Sequence, residues 1–422
     1  MNWNSAVNRC QALNFRLVYF VAVLKNLIKM SLLRYVRRLN ALQGLQQCRR
    51  EVSSAPAKSA TLKYDQDPQP LFTDSETQRL LQSMTQLQLD KVFRKRTVKD
   101  NRSETKFMTN EQLETEFLQI IEKAKHLLKM PPIVKIKQDT ERIIAKDPAL
   151  KDFATTKYVF TDITFGLPHS ERKVVVRETD GTLAYASLDT TKRMNQLYFP
   201  LEGRKSYTPR MFAYEELLHK CLEEHKYEFV LDRLTVQYEP YETEFHNLSA
   251  RVFEHLNESK QFDLLRSTRH FGPMAFFYAW HRCIDDLLYD MIRRDYLHNA
   301  VELIALTYKI HKIPVEYTET LAKLEALHPT PDESALSELR GFLRRPEEKQ
   351  GIEQEIHTAI GKTEQDFAAD DISLKFIEEY IASEHSLKKV QLELAVQTLK
   401  EINLEKLQLF QGLKKAHGVQ AS

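Results

Sequence analysis

The chain has 422 residues, which at about 150 residues per domain corresponds to two or three domains. Its 61 Lys and Arg against 59 Asp and Glu give a net charge of +2, but the two signs are unevenly spread. Residues 1–50 carry nine Lys or Arg and no acid, so the remainder has a net charge of −7 and is excluded as a general polyanion binder. There are ten glycines, where average usage gives about thirty, and no two lie closer than six residues. A dinucleotide fingerprint, a phosphate loop and a hydrolase nucleophile elbow all need closer glycines, so none of them is present. Hydrophobic residues make up 42%, enough for a sizeable folded core.

The leader comes first. Its longest apolar stretch, Leu17 to Leu24, is too short to span a bilayer and has no small-residue cleavage site behind it. From Met30 the text is rich in arginine, free of acid and amphipathic, with Leu33, Val36, Arg37 and Asn40 setting apolar and basic residues on different faces at helical spacing. That composition describes a mitochondrial transit peptide over 1–52, with Met30 as an alternative start. The competing reading is a basic helix retained on a membrane surface. Removal near Arg50–Ser54 leaves only Cys221 and Cys283, which suits a reducing matrix and no disulfide scaffold.

Residues 53–73 read as a linker of small residues, Pro and Asp. A short helix is predicted over about 74–89, with Leu80, Leu81, Met84 and Leu87 on one face. The segment 91–106 has seven bases, two acids and no apolar period. Thr109 and Gln112 form a capping box that opens a helix carrying Leu113, Phe117, Ile120, Ile121, Ala124 and Leu128 on its inner face, stopped by Pro131-Pro132. Between 157 and 187 the β-rich runs YVFTDIT and KVVVRE, then Asp180-Gly181 before TLAYAS, predict an antiparallel hairpin sheet of about three strands. With it, 74–208 forms an α+β region.

Residues 209–314 are helical in pattern. Glu224, Lys226, Val230 and Leu231 recur 34 residues on as Glu258, Lys260, Leu264 and Leu265, and Phe262 has its counterpart in Tyr296. That spacing suggests helical hairpins of a short, solenoid-like kind, with plain bundle packing as the alternative. Residues 315–370, with thirteen acids and six bases, read as an acidic insertion before C-terminal helices over 371–422. There, Leu392, Ala395, Leu399, Ile402, Lys406, Leu409 and Leu413 form a seam suited to docking on another helix. The fold class is therefore mainly α, with helical hairpins and one small sheet.

Chemistry is sparse. His219 with Cys221 and His281 with Cys283 are two apart, on different faces of a helix, and cannot share an ion; Cys221 and His225 have no second pair. No residue takes a catalytic role. Three basic clusters stand out instead: Arg94-Lys95-Arg96, Arg204-Lys205 beside Tyr207, and Arg266 with Arg269 beside His270-Phe271. Arginine on backbone phosphate is the natural use of such clusters, with a solvated charged face as the bland alternative.

Several blocks resemble a known family. They are LLKMPPIV (127–134), TTKYVFTDI (155–163), VVVRE with Gly181-Thr182-Leu183, YFPLEGRK (198–205) and FDLLRSTRHFG (262–272). In that order, and over about 74–312, the chain resembles the animal mitochondrial small-subunit ribosomal protein S-twenty-two family. It departs in the leader and in a longer 315–370. The resemblance implies a structural, non-enzymatic component of the mitochondrial small ribosomal subunit, in the matrix, with no cofactor and no small-molecule substrate. Its partners would be small-subunit rRNA and neighbouring mitochondrial ribosomal proteins. A free matrix RNA-binding or translation factor built on helical repeats is the rival reading.

Overall fold

The computed structural model describes residues 62–94, 106–138, 142–147, 155–327 and 352–416. The leader, residues 53–61 of the expected linker, Lys95, Arg96 and residues 328–351 of the acidic insertion lie outside the described residues. The described residues fall into two compact units, 62–327 with 369–387, and 352–368 with 388–416.

The first unit opens with α1 (Gln69–Phe72), α2 (Ser75–Thr85), α3 (Leu89–Val92) and α4 (Asn110–Leu127). Residues 62–73 are not a free linker. The Leu62 N–H donates to Glu254 Oε1 at 2.8 Å, Trp280 Nε1 donates to Asp65 at 2.9 Å, and the Tyr64 ring lies 5.4 Å from Trp280. Aromatic packing of this kind holds a segment whose composition alone looks flexible. Asp74 caps α2, accepting from the Thr77 N–H, and the helix buries Leu80, Leu81 and Met84 as the spacing predicts. It ends at Thr85, short of the expected 89, because Gln86 takes a positive φ of 59°, so Leu87 falls outside it. The capping box of α4 is formed in both directions: Gln112 N–H to Thr109 Oγ1 at 3.3 Å and Thr109 N–H to Gln112 Oε1 at 3.1 Å. Its inner face is narrower than expected, because only Ile121 and Ala124 are buried and Ile120 is exposed.

The sheet has four antiparallel strands in the order β1-β4-β3-β2: β1 (Ile143–Lys146), β2 (Tyr158–Thr161), β3 (Val174–Arg177) and β4 (Thr182–Tyr185). Three match the expectation; β1 was not expected. The β3–β4 turn is one residue longer than a two-residue hairpin. Gly181 N–H reaches Glu178 O at 3.2 Å and Glu178 N–H reaches Thr182 O at 2.9 Å, with Gly181 at φ +83°. This is a type I turn closed by a left-handed glycine. Val174 and Val176 are buried on one face, and α5 (Leu188–Tyr198) packs against β3.

Then come α6 (Arg210–Ala213), α7 (Glu215–Glu223), α8 (Tyr227–Gln237), α9 (Thr243–Ser259), a 3₁₀ turn (Phe262–Leu264), α10 (Phe271–Trp280), α11 (Asp285–Arg293), α12 (Leu297–His311) and α13 (Thr318–Leu327). The core centres on α10, buried from Phe271 to Ala279 and packed against α2 and α12. The suspected repeat is present at the corners, with a period of 35 rather than 34. His225, Lys260 and Asp295 are all left-handed, at φ 55°, 55° and 65°. Two residues after each, a buried side chain (Tyr227, Phe262, Leu297) opens the next helical segment. Matching Lys226 to Lys260 put the register one residue off, because the corner is set by backbone conformation and not by side-chain type. The second corner leads into a single 3₁₀ turn, so full helix pairs do not recur throughout. Residues 74–208 and 209–314, expected as separate regions, lie in the same unit.

The second unit contains residues 352–368 of α14 (Ile352–Ala382) and α15 (Lys389–Ala416). Lys414 pairs with Glu364 and the Phe410 ring lies 5.8 Å from Phe367, so the two segments run antiparallel. The seam on α15 splits. Leu392, Ala395 and Leu399 are buried within the protein, while Leu409 is exposed.

Candidate nucleic-acid interface

A cleft of about 970 Å³ lies between α5, the 199–208 loop and the segment from the end of α8 to the start of α9. Its walls are built by local rules. Ser187 caps α5, its Oγ accepting from the Thr190 N–H. The 199–208 loop turns at Gly203, which has φ +79° and would bring a Cβ to 3.3 Å from Val236. The turn is clamped to α8: Arg233 donates to Gly203 O at 2.7 Å, Lys205 N–H donates to Gln237 Oε1 at 3.1 Å, and Gln237 Nε2 donates back to Lys205 O at 2.9 Å. The YFPLEGRK block is thus a fitted turn that sets Arg204 and Lys205 at the cleft.

The floor carries paired charges. Lys192 reaches Glu242 at 2.9 Å and Glu244 at 3.8 Å. Burial is the largest single influence on the Lys192 ammonium and opposes it, but the hydrogen bond to Glu242 and the charges of Glu242, Glu244 and Asp189 together hold its pKa above the ordinary value. Burial pushes the Glu242 carboxyl upward despite that partner. Asn195, 2% exposed, donates to His169 O at 3.3 Å, while its buried Oδ1 has no hydrogen-bond partner. At the rim, Lys137, Arg193, Lys205 and Tyr207 are exposed. Arg193 and Lys137 were missed in the sequence, since each is an isolated base that only the fold brings to this cleft.

The expected contact residues divide. Lys205 is exposed at the rim, and Arg94 is exposed at the end of α3. Lys95 and Arg96 lie outside the described residues. Arg204 is committed inward, with Nη1 at 2.9 Å from Glu239 and Nε donating to Val236 O at 3.0 Å. Arg269 is half-exposed and held by Asp232 Oδ1 at 2.7 Å and Thr235 Oγ1 at 2.8 Å. Arg266 needs correction as a surface residue. Its side chain is 0% exposed, packed 4.8 Å from the Phe271 ring centroid and 4.4 Å from that of Tyr296, with Asp263 at 3.3 Å. A guanidinium enclosed by two aromatic faces and a carboxylate is an internal tie, and burial lowers its pKa.

Among the described residues, no group of three or more His, Cys, Asp or Glu could hold a metal ion. Cys221 and Cys283 are free thiols, and burial pushes the Cys283 thiol up to about 12, away from nucleophilic use. No helix among the described residues is long and apolar enough to cross a membrane.

Residues 70–312 match the family described as mitochondrial 28S ribosomal protein S22. The chain belongs to that family. The match runs from α1 to the end of α12 and takes in the whole cleft. Among relatives, small ribosomal subunit protein mS22 of Bos taurus is 40% identical over 265 residues, covering 63% of this chain and 72% of the relative. The Mus musculus protein of the same name is 38% identical over 262 residues, covering 62% and 72%. The matched region also contains the sheet and the 35-residue corners.

Proposed function

We propose that this protein is a structural component of the mitochondrial small ribosomal subunit, working in the matrix and supporting mitochondrial translation without catalysing a reaction. The observation that carries this is the family match across 70–312, together with relatives named as small-subunit proteins. Its neighbours are then other mitochondrial ribosomal proteins and, locally, small-subunit rRNA. The rRNA contact is assigned to the exposed bases at the cleft rim, Lys205 and Arg193, and to the Arg94-Lys95-Arg96 stretch. Exposed bases suit phosphate, and Tyr207 offers a ring on which an unpaired base can stack. Arg269 joins them only at the cost of its hold on Asp232, and Arg204 only at the cost of its hold on Glu239. The acidic balance of residues 51–422 keeps such contacts local.

Sedimentation of mitochondrial lysate tests the reading. Constant, stoichiometric co-migration with the small subunit is expected. A protein found free in the matrix, or bound in trace amounts, would instead be a helical-repeat factor, the reading the relatives' names do not favour.

A further inference from the structure

We infer that the free edge of β2 is a docking site for an extended segment of a neighbouring ribosomal protein, which adds to the sheet as a fifth strand. This rests on the reading of the protein as a ribosomal component and goes beyond it by naming a surface and a mode of binding. The strand order leaves β1 and β2 at the two edges. They are not alike. β1 is blunted by a bulge between Ile143 and Ala145 and by Lys146, both devices that discourage further pairing. β2 pairs with β3 in unbroken register from Tyr158↔Arg177 to Thr161↔Val174, with no bulge and no proline.

The hydrogen bonds of β2 show which groups are spare. Asp162 N–H donates to Lys173 O at 3.0 Å, in the same register. Antiparallel pairs alternate, so Tyr158, Phe160 and Asp162 exchange bonds with β3, while the N–H and C=O groups of Val159 and Thr161 point away from it. No described residue hydrogen-bonds to those outward groups. The same strip exposes large apolar side chains: Tyr158, Phe160, Ile163 at 81% and Phe165 fully. Such a run of exposed apolar groups on one short segment marks a contact surface.

The spare main-chain groups and the exposed rings, not charge, select the occupant. Between 155 and 165 the charged residues are Lys157 and Asp162. Lys157 is paired with Glu178 at 2.5 Å. Asp162 is held in its anionic form, its pKa lowered by hydrogen bonds from Thr164 Oγ1 at 2.6 Å and N at 2.9 Å. Arg172 and Lys173 of the neighbouring strand segment also act on Asp162, so charge at this edge is mixed. What the strip offers is main-chain N–H and C=O groups at strand spacing beside exposed apolar rings, which a phosphate backbone does not match and a polypeptide does. An extended peptide satisfies both features: its main chain meets Val159 and Thr161, and alternate apolar side chains cover Phe160 and Tyr158.

The test uses the full chain in mitochondria, with benzoyl-phenylalanine in place of the fully exposed Phe165. Sedimentation comes first: if the chain does not enter the small subunit, the functional reading fails and this inference falls with it. If it does enter, irradiation of purified small subunits followed by mass spectrometry should give a crosslink to one segment of another small-subunit protein. Thr161→Pro removes an outward N–H and leaves the β2–β3 ladder intact, so it should cut that yield about tenfold. Ile163→Lys, at an exposed position outside the strand, should also lower it, with the circular dichroism of the purified variant unchanged. A crosslink to rRNA, to a second copy or to another part of this chain would overturn the inference alone. So would no crosslink in assembled subunits, or a yield indifferent to Thr161→Pro.

Discussion

The Tyr380 hydroxyl donates to Asp285 Oδ1 at 3.1 Å, joining two residues 95 positions apart in the chain. The second oxygen of Asp285 accepts from the Leu387 N–H at 2.6 Å. One buried carboxylate at the start of α11 therefore ties down the end of α14 and the turn beyond it. Tyr380→Phe leaves Asp285 one donor short inside the protein and should cost about 1–3 kcal/mol, read as a lower urea midpoint. An unchanged midpoint would mean that this tie contributes nothing.

Gly181→Val places a β-branched residue at φ +83° in the β3–β4 turn. The expected cost is about 1–3 kcal/mol, seen as a lower melting temperature and reduced abundance of protein and small subunit together. Normal abundance with a defect in one isolated reaction would reopen an enzymatic reading.

Stability should fall between neutral and mildly acid pH. His246, His270 and His281 are held below the usual 6.5, burial being the largest cause for each. The unfolded chain therefore binds protons that the folded chain refuses. Their contribution is fully present above about pH 7 and is lost as pH falls from 6.5 toward the folded values. Urea midpoints measured from pH 7.5 to 5.5 should decline, and His246→Gln should flatten the decline. A midpoint constant over that range would contradict the burial of these rings.

Arg266 and Lys205 should behave in opposite ways. Arg266→Met removes a buried cation from Asp263 and should cost about 3 kcal/mol, although Lys91 at 3.2 Å still attends that carboxylate. Arg193→Glu with Lys205→Glu should leave the melting temperature unchanged and lower crosslinking to rRNA severalfold. For isolated wild-type protein on naked rRNA, about four or five available cations predict weak binding with a log–log salt slope of about −3 to −4. Tight, steeply salt-dependent binding would shift the weight of the interaction from protein to RNA.

Local elements were legible because local physics makes them. Asp74 and Thr109 cap the helices they precede, and the 157–187 runs pair as their alternation predicts. β1 was not legible, because Ile143–Lys146 is exposed throughout and has no buried face to impose alternation. Among the candidate contact residues, Arg266 and Arg269 look equivalent as sequence, three apart in one basic stretch. They part because Phe271 and Tyr296, brought together by packing, enclose one of them.

Composition, the positions of the glycines and the local periodicities determined the fold class, and the ordered blocks marked the family, all from the sequence alone. Which bases face solvent, which edge of the sheet is left open and where the helical corners fall were decided only in the tertiary structure. The reason is physical: capping and alternation act over a few residues, whereas burial depends on contacts between segments far apart in the chain.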